Sequence, residues 1–229
     1  FEPDSAAIVR ADFDTRMVDT LTTMRIARPS RQSVKQDGQT VAFKYVYNPM
    51  ATADEWAMLS DETIAVIRAQ DYHIDWVDPD GTRRSTPKMP FDWKRLTDAE
   101  KQFKIDSMRP EIEKALAASP VRTIPTPDGP RKRTLQFDFV PIDKLPDYER
   151  PIAPGSLKPD LDGNLWIVPR TSSAAQGGLL YDVVNRMGEI MERVQFPKGL
   201  ALAGFGPGGV VYVTRTEGTA TFLERATLR

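Results

Sequence analysis

The 229-residue sequence contains no cysteine and a single histidine, His73. Without cysteine there is no disulfide framework, no Cys-ligated zinc and no thiol chemistry, and the redox compartment stays open. Charge of one sign is also lacking: 31 Lys and Arg stand against 32 Asp and Glu. No net field draws the chain to nucleic acid or to an anionic membrane, so nucleic acid is not expected as a partner. No apolar run approaches the ~18 residues of a transmembrane segment, and the opening FEPDSAAIVR has no signal-peptide pattern. A start at Phe1 instead of Met is the start expected of a processed, truncated or partly observed chain.

Several catalytic signatures are missing too. There is no nucleophile elbow and no HExxH. GFGPGG (204–209) lacks the Lys-Ser or Lys-Thr ending of a phosphate loop and precedes a strand, so it reads as a turn. DLDGN, at 160–164, opens like a calcium loop, but the bidentate acid of such a loop is replaced by Thr171.

What is present is a repeat. YHIDWVDPDGTRRSTPKMP (72–90) lies without gaps over LLYDVVNRMGEIMERVQFP (179–197), placing Asp75 on Asp182, Val77 on Val184, Gly81 on Gly188 and Pro90 on Pro197. Upstream, SDETIAVIR (60–68), DGNLWIVPR (162–170) and PGGVVYVTR (207–215) share a turn, an apolar run and an arginine. AAIVRADFDTRMVDTL supplies a fourth, partial copy. Each unit is a set of short β-branched and aromatic runs bounded by Gly, Asp and Asn turns, which signals hairpins. The spacing from Arg170 to Arg215, 45 residues, is that of a four-stranded propeller blade.

The sequence therefore predicts an all-β chain of β-propeller blades, each a four-stranded antiparallel sheet, in an incomplete ring with a helical insert. Residues 1–30 form a partial blade and 38–90 a blade with an extra strand at 40–47. An insert covers 91–153, a further blade 154–197 and a last partial blade 198–229. Within the insert, Thr97 and Glu100 have capping-box spacing ahead of Phe103, Ile105 and Met108, predicting a helix broken near Pro110 and followed by a second short one. PVRTIPTPDGPRKR is expected as irregular loop and TLQFDFVP as an edge strand. With blade strands lettered A to D from the inside out, the insert is a D-to-A connection and TSSAAQGG (171–178) a B-to-C connection. Both are expected on one end of the propeller, where loops build binding surfaces.

Together DLDGNLWIV, YDVVNRMGEIMERVQFP and GFGPGGVVYVTR resemble the C-terminal blades of six-bladed propellers of the NHL and TolB-like kind, in particular exported bacterial propellers of unassigned function. The resemblance covers most of the chain outside 91–150. It implies the fold and an extracytoplasmic location, periplasmic or secreted. It implies no activity, because propellers host binding modules, hydrolases and lyases alike.

Alternation places Asp71, His73 and Asp75 on one side of a strand, where a histidine between carboxylates could hold a divalent metal or move a proton. The plainer account is a solvated, salt-bridged strand, and it is preferred. Arg68, Arg170 and Arg215 end strand B in three units, either as an anion-binding ring or as repeated cross-strand pairs with Asp75 and Asp182. The ligand-binding candidates are thus Arg68, Asp71, His73, Arg170 and Arg215, with Asp71, His73 and Asp75 as weak metal candidates and no catalytic residue. RKR at 131–133, beside Phe137 and Phe139, is too small a basic patch for nucleic acid. The favoured function is a non-catalytic binding or scaffold module without a cofactor, contacting a protein or small ligand through the insert and the B-to-C loops. The alternatives are a propeller hydrolase or lyase with funnel carboxylates and a calcium ion, and an accessory subunit whose ring is completed by missing N-terminal blades or a partner chain.

Overall fold

The computed structural model describes residues 4–36, 39–119, 122–124 and 129–227. In chain order the elements are β1 (Ser5–Ala11), β2 (Val18–Arg25), β3 (Ser30–Gln36), β4 (Gln39–Tyr47), β5 (Glu55–Met58), β6 (Ile64–Arg68), β7 (His73–Val77) and β8 (Arg83–Ser85). There follow helix α1 (Asp98–Ala117), β9 (Arg122–Ile124), β10 (Arg131–Phe139), β11 (Ile152–Pro159), β12 (Leu165–Pro169), β13 (Leu180–Val184) and β14 (Ile190–Gln195). β15 (Leu200–Gly206), β16 (Val210–Glu217) and β17 (Ala220–Thr227) complete the described chain. No helix among the described residues is long and apolar enough to cross a membrane.

The chain divides into two compact units. One comprises Ser5–Ile26, Thr52–Trp93 and Arg150–Arg229; the other comprises Phe1–Asp4, Ala27–Ala51 and Lys94–Glu149.

The first unit is made of propeller blades. β5-β6-β7-β8 and β11-β12-β13-β14 are four-stranded sheets in sequence order, β15-β16-β17 has three strands and β1-β2 two. Every pairing in these sheets is antiparallel. They read as two whole blades flanked by strands C and D of one and strands A to C of another. The second strand of a blade is covered on both sides, so it must be apolar at every position and not only at alternate ones. Ile64 to Ile67 are accordingly all buried, as are Leu165, Trp166 and Ile167.

Apolar layers lie between successive blades. Ile8, Leu21 and Met24 pack on Ile64, Val66 and Val77. Ala65, Ile67, Ile74 and Trp76 meet Leu165, Ile167 and Val184. Trp166, Tyr181 and Phe196 meet Leu202, Val211 and Val213. The Trp166 ring lies 5.1 Å from Phe205 and 6.5 Å from Phe196. Each large side chain buried in these layers contributes roughly 1.5–3 kcal/mol, which turns a row of small sheets into one core. In such a meander, strands B and D end, and A and C begin, at one end of the blades. Arg25, Arg68, His73 and Arg150 all belong to that end.

The second unit corrects the expected insert. Its mixed sheet runs β3-β4-β10-β9, with β4 and β10 parallel and in register from Ala42 opposite Thr134 to Tyr47 opposite Phe139. The strand expected to extend the 38–90 blade is β4 and belongs here. Within TLQFDFVP, 134–139 pair with β4 alone among the described strands, as an edge does, while β9 pairs with β10 only at 131–133. Parallel strands need a long connection, and the chain between β4 and β10 contains an entire blade and α1. The unit is thus assembled from two successive D-to-A connections.

α1 is a single helix through Pro110, not two. Pro110 is exposed, so the backbone carbonyl it leaves unbonded faces solvent and can be hydrated. Ile105 and Ile112 pack with Met50, Leu96, Phe139 and Leu145. Phe137 and Phe139 belong to this core, with the Arg109 guanidinium 5.1 Å from the Phe139 ring centre. The side chains of the RKR cluster at 131–133 lie outside the described residues.

Candidate functional site

The blade end where B-to-C connections leave carries a continuous run of charged side chains. The sharp connection from β6 to β7 depends on Tyr72, whose ring is buried while its φ of 56° is left-handed, a conformation that a bulky residue adopts only when packing imposes it. This turn brings Asp71 beside β7. Asp71 Oδ1 is 2.8 Å from His73 Nδ1, and His73 Nε2 is 3.2 Å from Asp75 Oδ1. The Ser85 hydroxyl donates to the same Asp75 oxygen at 2.5 Å, and Arg68 Nε donates to Asp75 Oδ2 at 2.6 Å. Arg68 Nη1 donates to Asp54 Oδ2 at 2.9 Å and to the Thr23 carbonyl at 2.8 Å. Lys88 Nζ lies 3.6 Å from Asp71 Oδ2.

Along this chain of contacts each carboxylate lies between two nitrogen-bearing side chains or ends the run, which sets its electrostatics. Burial pushes the Asp75 carboxyl up, but the Ser85 hydroxyl and the Arg68 guanidinium outweigh it and hold it below the ordinary carboxylate range. Asp54 is nearly shielded from solvent and accepts the N–H groups of Arg25 and Ala69, so one carboxylate ties together strands of two blades.

Asp71, His73 and Asp75 are thus brought together as the sequence reading expects, His73 and Asp75 by strand alternation and Asp71 by the turn at Tyr72. The two carboxylates sit on opposite nitrogens of the imidazole, so the three side chains do not converge on one point. Among the described residues no group of three or more His, Asp or Glu is arranged to hold a metal ion.

The three repeated arginines are not equivalent. Asp75, Asp182 and Glu224 stand opposite Val66, Ile167 and Val213 respectively. Two residues past those apolar partners come Arg68, Pro169 and Arg215. Arg215 Nε donates to Glu224 Oε1 at 2.5 Å, repeating the diagonal pair of Arg68 with Asp75. Arg170 is displaced by one position, because Pro169 takes the place of the arginine. It donates through Nε to the Ile152 carbonyl at 3.0 Å. Asp182 keeps its place and is met instead by Arg193 Nε at 3.0 Å from β14. The sequence alignment of the three turns slips by one residue in this blade, and a one-residue slip reverses which way a strand residue points.

Asp160 serves the turn with both carboxylate oxygens. Oδ1 accepts the N–H groups of Asp162 and Asn164, and Oδ2 accepts Asn164 Nδ2 and the Trp166 indole N–H, each at about 3 Å.

Sequence reasoning missed Asp54, Arg25 and Arg150 on this end. None occupies a strand position repeated between blades. Arg25 and Asp54 bracket one D-to-A connection and Arg150 closes the next, so the strand map marks their place even though no motif does.

No known family and no curated protein matches the chain. Among solved structures, selenomethionine-substituted virginiamycin B lyase from Staphylococcus aureus is similar over 96% of this chain and 83% of that one, at 13% identity and a TM-score of 0.20. A likeness of that degree assigns neither a family nor a reaction.

Proposed function

We propose that the propeller blades form a binding module whose working end carries the B-to-C connections. The observation behind this reading is the saturated contact chain from Lys88 through Asp71, His73, Asp75 and Arg68 to Asp54. General acid–base or nucleophilic chemistry needs a group held ready for a substrate proton or carbon. Here the charged groups engage one another, and their effect is to fix the Arg68–His73 loop in one conformation. A loop held firmly on a rigid scaffold is what recognition of a protein or small ligand requires. The helix-bearing unit is a second contacting element in this proposal. Export to the periplasm or the medium belongs to it as well, supported by the resemblance to exported propellers, and cell fractionation of the native protein tests it.

The binding reading is tested with a ligand panel screened by thermal shift, the hits then mapped with variants. A ligand weakened by Gln70→Glu and Lys88→Glu, indifferent to Asp80→Lys on the opposite end, and not turned over supports it. Turnover abolished by His73→Ala would establish a propeller hydrolase or lyase instead.

A further inference from the structure

Successive blades meet through unlike sides of their sheets. The side of a sheet that faces onward along the chain packs on the side of the next that faces back, as Ile74 and Trp76 pack with Leu165 and Val184. Three such layers are filled. They leave one side of each end sheet uncovered: the back of β1 and β2, and the front of β15, β16 and β17.

The back of the β1–β2 hairpin is unlike an ordinary solvated strand surface. Ile8 and Met24 pack on the next blade, so pairing and alternation turn Ala7, Val9, Ala11, Val18, Thr20 and Thr23 the other way. All six are exposed, and none is charged. The pair of Arg10 with Asp19 lies instead on the packed side, where Arg10 donates to the Pro79 carbonyl at 3.1 Å. The turn register is shared between blades: the Asp12 N–H donates to the Met17 carbonyl as those of Asp78 and Asn185 donate to Thr82 and Glu189. Counting back from that turn, Ala11 stands with Val77 and Val184, which are 3% and 0% exposed. Val9 stands where Asp75 and Asp182 hold their arginines, and it is 51% exposed.

The front of the last sheet is its counterpart. Val213 packs on the preceding blade and Glu224 stands opposite it, so Tyr212, Thr214, Leu223 and Arg225 look outward. Leu223 occupies the position of Ile74 and Tyr181, which the next blade covers to 0% and 3% exposure, yet Leu223 is 67% exposed. Tyr212 occupies that of Ala65 and Trp166, both buried. Arg225 is the single cation of this group, and its stem is long enough to carry the charge to the rim of a contact.

The layers inside the fold show what covers such a front: the back of another sheet. An unmatched back is present in the same chain. We propose that the front of β15–β17 in one copy docks on the back of β1–β2 in a second copy, repeating between molecules the apolar layer that joins blades within one. The contact is head-to-tail, so each pair keeps one free front and one free back and adds further copies until the rotation closes. A two-stranded back offers less than the ~1,600 Å² of a standard interface, so association is expected in the micromolar range or above.

Sedimentation velocity over a concentration series tests the contact with variants at exposed side chains. Val9→Lys spoils the back alone and Leu223→Lys the front alone, and each is expected to weaken association at least tenfold. Met187→Lys, at an exposed apolar residue of the turn between β13 and β14, should leave it unchanged. An equimolar mixture of Val9→Lys and Leu223→Lys brings one intact front to one intact back, and a 1:1 complex that grows no further is expected. Circular dichroism checks folding, with Thr20→Lys or Thr221→Lys replacing a variant that unfolds. Association of Val9→Lys equal to the wild type overturns the proposal, because β17 would then be meeting a surface other than β1–β2. A mixture that stays monomeric, a loss as large in Met187→Lys, or a wild type monomeric to millimolar concentration overturns it as well.

Discussion

Asp75 and Asp182 occupy the same place in successive blades and should respond to acid in opposite ways. Asp75 is held below the ordinary carboxylate range, because Ser85 and Arg68 together outweigh its burial. The stability it contributes is present above the unfolded value near 4 and is lost as pH falls through its lowered value. Asp182 is only 4% exposed, and burial pushes its carboxyl up against the smaller opposing effect of Arg193. Its contribution is complete below the unfolded value and is lost as pH rises through the raised one. Asp182→Asn is therefore expected to equal or exceed the wild type in stability near neutral pH, and the two should converge toward pH ~4. Arg193→Ala removes the remaining partner and should destabilise at neutral pH by about 1–3 kcal/mol. Urea unfolding of each protein between acid and neutral pH reads both effects, and a pH-independent difference between wild type and Asp182→Asn would refute the assignment. The pairing of Arg68 with Asp75 was legible in the sequence, because alternation alone puts such residues on one side of a hairpin. The displacement of Arg170 from the repeated position was not, since Pro169 shifts the register without changing the look of the motif.

At the scale of elements, α1 offers a measurable beginning. The Thr97 hydroxyl accepts the Glu100 N–H at 3.3 Å, and the Glu100 carboxylate accepts the Thr97 N–H at 2.9 Å. Lys94 first, and Thr97 after it, lower the Glu100 carboxyl to about 2. The cap is thus intact above the ordinary glutamate range and opens only as pH falls toward that lowered value. Thr97→Ala should cost about 1 kcal/mol and speed amide exchange in the first turn of α1 while leaving β7 protected, which hydrogen exchange followed by mass spectrometry resolves. A second test concerns the loop before β13. Gly178 has φ 138°, and a Cβ there would stand 2.0 Å from the Phe196 carbonyl. Gly178→Ala should therefore lower the midpoint of unfolding markedly, whereas Gly81→Ala in an open turn is limited to the ~1–3 kcal/mol of left-handed backbone strain. The capping box and the blade hairpins were readable because they are local, a few residues apart in sequence. The pairing of β4 with β10 was not, because a parallel pair across an intervening blade leaves no turn signal and its partners share no motif.

At the scale of the whole molecule, the outermost blade strands decide how this chain behaves at high concentration. In the two whole blades, β8 and β14 cover the outer edges of β7 and β13. No described strand covers the outer edge of β17, which presents Phe222 at 44% and Leu223 at 67% exposure. An unpaired apolar edge is a template for another strand, and folds that avoid this place charge or proline along it. Glu224 and Arg225 supply charge, but Glu224 is engaged by Arg215 in the same sheet. The chain is therefore expected to self-associate through β17 as its concentration rises, in the micromolar to millimolar range. Leu223→Lys places a cation on that edge and should keep the protein monomeric, while Met58→Lys, on the inner strand β5, should leave association unchanged. Sedimentation velocity over a concentration series distinguishes the two. If Leu223→Lys associates as the wild type does, β17 is not the adhesive edge, and the idea that a further strand or partner chain completes the last blade there loses its physical basis.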